Sequence, residues 1–354
     1  MSLIRLLSEK PEKTLFTTPS HGQKFFIYEP LKEMYKLDIS ETECQDPQEA
    51  LKVAQLRARA IYHTYSTTFL TNGSTSGIIA AVLSCTQVGD KVLIASNSHP
   101  CHFNAVRLAG ARALTYDLEI DKDWGVPLEV KPEVIDFYLS RYNIKTVIIT
   151  SPSYEGIISD IEEIKAVCEK HGAFLIVDEA HGALYPFSEL LPISAVNIAD
   201  FTVQSLHKTA GGLNPTALLH CNCEVDVSHA LNMFMTTSPS YPLLASIEAN
   251  INYLDSRAGR KEIDNLVIRL DRMREKCRGC EFFGDDPTKV LIRVPGISGY
   301  ELSEMLYEDF GIEDEKTNEK STMLLCGIGT DSKKIDRLQH VLSKLWYLIY
   351  YKLY

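Results

Sequence analysis

Apolar positions recur along this chain in two alternating rhythms. Short aliphatic and β-branched runs at Thr67–Thr71, Lys91–Ala95, Ala111–Tyr116, Thr146–Thr150 and Phe174–Val177 read as strands. Between them lie helical stretches at Ser74–Cys85, Pro100–Gly110 and Pro132–Tyr142, and one capped by Asp160 with Glu163 that runs to about Lys170. Two further short strands fit Phe201–Gln204 and Thr216–His220. An earlier helix starts at Asp46-Pro47-Gln48-Glu49, where Asp46 suits the N-cap, Pro47 the first helical position and Glu49 the capping box. Strands alternating with helices predict a mostly parallel sheet covered by helices on both faces.

After about residue 255 the rhythm changes. A long helix near Arg260–Arg278 leads to the strand Val290–Val294, a helix from Ser298, the strand Thr322–Cys326 and a final helix. The predicted organisation is an arm over residues 1–45 without sustained periodicity, a large domain over 46–255, and a smaller α+β domain over 256–354. No internal repeat or low-complexity segment interrupts it. The aromatic-rich run Leu345–Tyr351 could lie on a membrane surface. Ile335, Leu338, Val341 and Leu342 precede it at helical spacing, which favours a last helix packed on the smaller domain.

Composition narrows the partners. The formal net charge is -11 and the pI about 5.4. A broad acidic surface argues against nucleic acid and anionic membranes, and is compatible with a small cationic substrate. Nine cysteines without regular spacing read as reduced thiols of a cytoplasmic protein. Met1 is followed by no apolar signal region, and no apolar run approaches the ~20 residues of a membrane span.

The chemistry concentrates in Gln204-Ser205-Leu206-His207-Lys208-Thr209 and in Val177-Asp178-Glu179-Ala180-His181. A lysine just after one strand and an aspartate at the end of an earlier one are what pyridoxal phosphate (PLP) requires. The amine forms a Schiff base with the cofactor aldehyde, and the carboxylate keeps the pyridine nitrogen protonated. Asp-Glu-Ala-His also occurs in helicases, but that reading needs a phosphate loop ending in Gly-Lys-Ser/Thr, which the sequence lacks. Thr71–Gly77 joins a strand to a helix. The Ser74, Thr75 and Ser76 hydroxyls with the first helical amides make a phosphate cradle, or an ordinary N-cap loop. His99 follows the next strand, where it could stack on a pyridine ring or be a plain loop histidine. The sets His99, Cys101, His102 and His220, Cys221, Cys223 lack a second matched ligand pair, so no metal is expected. Ser205 and His207 flank the lysine within reach of a phosphate, and Thr236–Tyr241 is a second hydroxyl cluster before a helix.

Six motifs in order resemble the Orn/Lys/Arg decarboxylase family of fold-type-I PLP enzymes. They are Thr18-Pro19-Ser20-His21, Asn72–Gly77, Asn97-Ser98-His99, Asp178–His181, Ser205–Lys208 and Thr236–Pro239. The likeness runs from about residue 14 to 250 and is weaker beyond. It implies the PLP-dependent transferase-like (aspartate aminotransferase) α/β fold. Lys208 would be the Schiff-base lysine and Asp178 the partner of the ring nitrogen. His99 would cover one ring face and Ala180 the other, with His181 near the phenolic oxygen. Ser74, Thr75, Ser205 and His207 would hold phosphate, with Thr237 or Ser238 donated by the second subunit of a homodimer. The implied reaction is decarboxylation of arginine, lysine or ornithine, with Lys208 or His207 returning a proton to Cα. The sequence departs from the family in having Ser20 where glycine is usual, and in a short Glu41–Pro47 segment. It also lacks the further C-terminal domain of larger members and the N-terminal wing of some. Two rivals are another PLP reaction (aminotransferase, aldolase or lyase) and a non-catalytic PLP-binding relative.

Overall fold

The computed structural model describes residues 2–8, 14–24, 28–39 and 47–353, with side chains through Leu345. The first helices are α1 (Leu3–Ser8), α2 (Lys32–Leu37) and α3 (Pro47–Tyr62). Pro47 does open α3, while Asp46 lies outside the described residues. There follow β1 (Ser66–Leu70), α4 (Gly73–Cys85), β2 (Lys91–Ala95), α5 (Pro100–Leu108), β3 (Arg112–Tyr116) and α6 (Pro132–Arg141). Next come β4 (Ile144–Thr150), α7 (Ile161–His171), β5 (Phe174–Asp178), β6 (Phe201–Ser205), α8 (Leu206–Thr209) and β7 (Ala217–Cys221). These seven strands form one sheet in the order β1-β7-β6-β5-β4-β2-β3. Only β7 runs against its neighbours β1 and β6; the other pairs are parallel. The four-residue α8 is too short to carry the chain back across the sheet, so β7 enters reversed.

Local signals explain the main elements. Asp160 caps α7, its Oδ1 accepting from Glu163 N at 2.9 Å, and Gly172 ends that helix at φ 65°. Helix α4 is apolar on most sides because it is buried against the sheet. A Cβ at Gly77 would stand 2.9 Å from Leu70 Cδ1 and from Val203 Cγ1, so glycine lets α4 lie directly on β1 and β6.

The chain continues through α9 (Ser228–Phe234), α10 (Tyr241–Asp255) and the twenty-residue α11 (Arg257–Lys276). Beyond these, β8 (Glu281–Phe283), β9 (Lys289–Arg293), α12 (Gly299–Phe310), β10 (Lys316–Thr317), β11 (Thr322–Leu325) and α13 (Ser332–Leu353) complete the fold. Their four strands form an antiparallel sheet in the order β10-β11-β9-β8. Strands β8 and β10 are too short to leave an alternating pattern in the sequence. Ser298 and Glu301 build a reciprocal capping box at the start of α12. Ile335, Leu338, Val341, Leu342 and Leu345 of α13 join a core shared with α10, α11 and the second sheet.

The N-terminal segment departs from a featureless arm. Leu3, Leu6 and Leu7 are buried among residues of α3 and α10, and Glu248 Oε2 of α10 accepts from Ile4 N at 3.1 Å. Their spacing is helical, but six residues are too few for periodicity to stand out. No helix among the described residues is long and apolar enough to cross a membrane.

Candidate active site

The carboxyl ends of β2, β4, β5 and β6 lie on one edge of the first sheet, where open α/β sheets bind ligands. A cavity of about 450 Å³ opens there. Its wall includes Ser74 at the start of α4, His99 after β2, Asp178 at the end of β5, Ala180 and His181 just beyond, and Lys208 in α8.

Each of these groups is fixed by its local structure. Asp178 is 6% exposed. Its Oδ1 accepts from Ala180 N at 3.1 Å and its Oδ2 from His102 Nε2 at 2.9 Å. Burial by itself would raise the Asp178 carboxyl. The His102 hydrogen bond and charge, the Lys208 charge and the Ala180 amide outweigh it and hold the carboxyl below its ordinary value. Lys208 is half-buried and its Nζ lies 3.0 Å from His181 Nε2. Burial lowers the Lys208 amine, against the opposing pull of Asp178. His181 is held well below the ordinary histidine value by burial first, then by the Lys289 and Lys208 charges, so its ring is neutral. The neighbouring Glu179 anchors this loop from below, accepting from Ala195 N, Ser194 Oγ and Gln204 Nε2.

The other expected residues divide. Ser205 ends β6, is fully buried, and its Oγ has no hydrogen-bond partner. His99 caps α5, its Nδ1 accepting from Cys101 N at 3.2 Å, and this fixes its ring at the cavity wall. Thr75 is exposed in the first turn of α4. Ser76 is buried and its Oγ donates to Gly73 O at 2.7 Å, so its hydroxyl is used within its own helix. His207 Nδ1 donates to Thr216 O at 3.1 Å rather than facing the cavity wall. Thr237 and Ser238 line a different cavity of about 920 Å³, with Thr18, Tyr35 and Asp38, and are not brought to Lys208 within one chain.

Several residues were not singled out from the sequence. His102 is fully buried beneath Asp178; in the sequence its position three residues after His99 suggests only metal-ligand spacing. Cys101, His102 and Asp178 do cluster, but the His102–Asp178 hydrogen bond accounts for that closeness without an ion. Tyr154 and Glu155 bring the loop after β4 to the cavity, where Lys316 of β10 meets them. Lys316 Nζ lies 2.6 Å from Glu155 Oε1 and 4.8 Å from the Tyr154 ring centroid, and Tyr154 also donates to Glu315. Residues 161 positions apart in the sequence thus share one wall, which no local motif reveals.

The donor set suits an aromatic cofactor carrying an aldehyde, a basic ring nitrogen and a phosphate. Lys208 offers a primary amine of lowered basicity, and Asp178 an ionised carboxylate in the same cavity. Phosphate has one match at the cavity wall: α4 begins beside Ser74 with amides that the Asn72 side chain does not cap, whereas the buried, unpartnered Ser205 hydroxyl lies outside that wall.

Comparison with known proteins places these features in a family. The sequence model described as "Orn/Lys/Arg decarboxylase, major domain" matches residues 10–285. A Bacillus subtilis (strain 168) relative named "Uncharacterized protein YaaO" is 31% identical over 343 residues, covering 89% of this chain and 71% of that protein. An arginine decarboxylase of Halalkalibacterium halodurans is 29% identical over 321 residues, covering 84% of this chain. The chain spans 65% of that relative's length. Among solved structures, the constitutive lysine decarboxylase of E. coli superposes with a TM-score of 0.80 at 20% identity, covering 97% of this chain and 59% of that one. The Sphingomonas wittichii serine palmitoyltransferase gives 0.68 at 16% identity, covering 85% and 77%. The fold is therefore that of the PLP-dependent transferases, a mostly parallel α/β sheet of aspartate aminotransferase type. With its family match extending from the N-terminal region into the second sheet, the chain belongs to the Orn/Lys/Arg decarboxylase family.

Proposed function

We propose that this chain is a PLP-dependent decarboxylase of a basic amino acid. One observation carries the reading: Lys208 and an ionised Asp178 face a single cavity at the strand ends, in a chain of a decarboxylase family. When bound, PLP supplies an electron sink for the pair left at Cα as CO2 departs. Lys208 holds the cofactor and is the group placed to return a proton to Cα, since His207 is tied to Thr216 O. Neutral His181, 3.0 Å from Lys208 Nζ, can accept a hydrogen bond from that amine and so orient it. Asp178, steadied by His102, keeps a negative charge against the ring nitrogen. His99 and Ala180 both line the cavity and would flank the ring. Exposed Glu129 adds a carboxylate to the same wall, where Glu155 is already paired with Lys316, and this suits a substrate bearing a side-chain cation.

Incubation with PLP and arginine, lysine or ornithine tests the reaction. One of the three should release CO2 and yield agmatine, cadaverine or putrescine. Formation of a keto acid or an aldehyde in its place would move the chain to another PLP reaction, and no product from any amino acid would favour a non-catalytic relative.

The placement of Thr237 and Ser238, away from Lys208 within one chain, supports a homodimer in which each subunit offers these hydroxyls to its partner's phosphate site. The mass in solution, measured by light scattering, should be twice the 39.8 kDa of one chain. A stable monomer that is fully active would contradict a shared site.

A further inference from the structure

Two sulfurs at the far end of β7 take no part in the proposed chemistry. Cys221 is the last residue of β7, and Cys223 follows with Asn222 between them. Side chains two positions apart on extended backbone fall on the same side. Cys221 Sγ and Cys223 Sγ stand 3.6 Å apart. The residue between them is pinned: Asn222 N donates to Asp200 O at 2.9 Å, and its Nδ2 donates to Val196 O at 2.5 Å and Ala199 O at 2.9 Å. The two thiols differ in access, since Cys221 is fully buried and Cys223 is half-buried. Cys277 and Cys280 also sit close in sequence, but the Cys277 sulfur faces Met273 Sδ at 3.7 Å and Gln339 O at 3.9 Å.

We propose that Cys221 and Cys223 form a reversible redox site whose oxidant is a low-molecular-weight disulfide. The Cys223 thiolate attacks one sulfur of the oxidant RSSR, forming a mixed disulfide and releasing RS⁻. The Cys221 thiolate then attacks the Cys223 sulfur, closing the protein disulfide and releasing a second RS⁻. The two thiol protons pass to the two released thiolates. The protein loses two electrons and RSSR becomes two RSH. Closure needs the sulfurs to move from 3.6 Å to about 2.0 Å. The hydrogen bond between the sulfurs brings the Cys221 thiol down to about 7 and, with burial, pushes the Cys223 thiol up, so the first attack falls to Cys223 by access rather than by acidity.

The native chain is incubated with glutathione disulfide, digested without reduction and mapped by mass spectrometry. The peptide holding both residues should lose two hydrogens before any other pair among the nine cysteines links, and dithiothreitol should restore both thiols. Cys221→Ser should stall with one glutathione on Cys223. Cys223→Ser should protect buried Cys221 from modification, which keeps the proposal testable should Cys221→Ser not fold. Glutathione that persists on Cys223 of the unaltered chain, or a Cys277–Cys280 link forming first, would overturn it. None of these readouts depends on enzymatic activity.

Discussion

Lys208→Ala should leave a folded protein that no longer retains PLP covalently and whose turnover falls by on the order of 10⁴-fold. The side chain makes one close polar contact, to His181 at 3.0 Å, so its removal should disturb the fold little. Lys208→Arg separates charge from nucleophilicity. It restores a cation next to Asp178 but offers no primary amine, so it should fail as completely as alanine. Absorbance spectra with added PLP read the first effect and product formation the second. A borohydride-sensitive visible band in Lys208→Ala would remove Lys208 from its assigned role, and retained turnover in Lys208→Arg would show that charge alone suffices.

The second large effect belongs to Asp178. Asn at this position keeps the shape and one acceptor oxygen, enough for His102 Nε2 or Ala180 N but not both, and loses the charge that the site holds ionised against burial. Asp178→Asn should therefore still take up PLP at Lys208, while turnover drops by about 10²- to 10⁴-fold. Asp178→Ala should suffer the same loss and also be less stable by about 1–3 kcal/mol, because His102 Nε2 is left buried without an acceptor. Comparing the two by activity and by denaturant unfolding separates the charge from the scaffold. Normal turnover in Asp178→Asn would show that the reaction does not need this carboxylate.

Much of this site was legible in the sequence, for physical reasons. Asp178 could be found because Phe174–Val177 before it is a continuous apolar run, whose polar end must lie at the sheet edge, and Lys208 because it closely follows the short predicted strand Phe201–Gln204. The caps at Asp160 and Ser298 were readable because capping needs particular side chains at fixed offsets. Other features were hidden because they depend on contacts between distant segments. His102 looks like any helical histidine until β5 brings Asp178 beside it. Lys316 and Glu155 are 161 residues apart, yet share the cavity wall. Ser76 belongs to the same loop as Ser74, but one helical turn sends its hydroxyl to Gly73 O instead of the cavity. The reversal of β7 had a faint signal in the short spacing after β6, too little chain for a full helical crossover. Leu3, Leu6 and Leu7 make a helical face of only one turn, whose docking on α10 is decided by the surface it meets.

The central claim is that Lys208 holds the cofactor opposite an ionised Asp178. Its most direct test is to add PLP to the purified protein, reduce with borohydride, digest and locate the phosphopyridoxyl mass. That mass should fall on the peptide containing Lys208, with the visible band bleached in parallel. No incorporation, or incorporation at Lys289 or Lys316 with Lys208 unmodified, would contradict it.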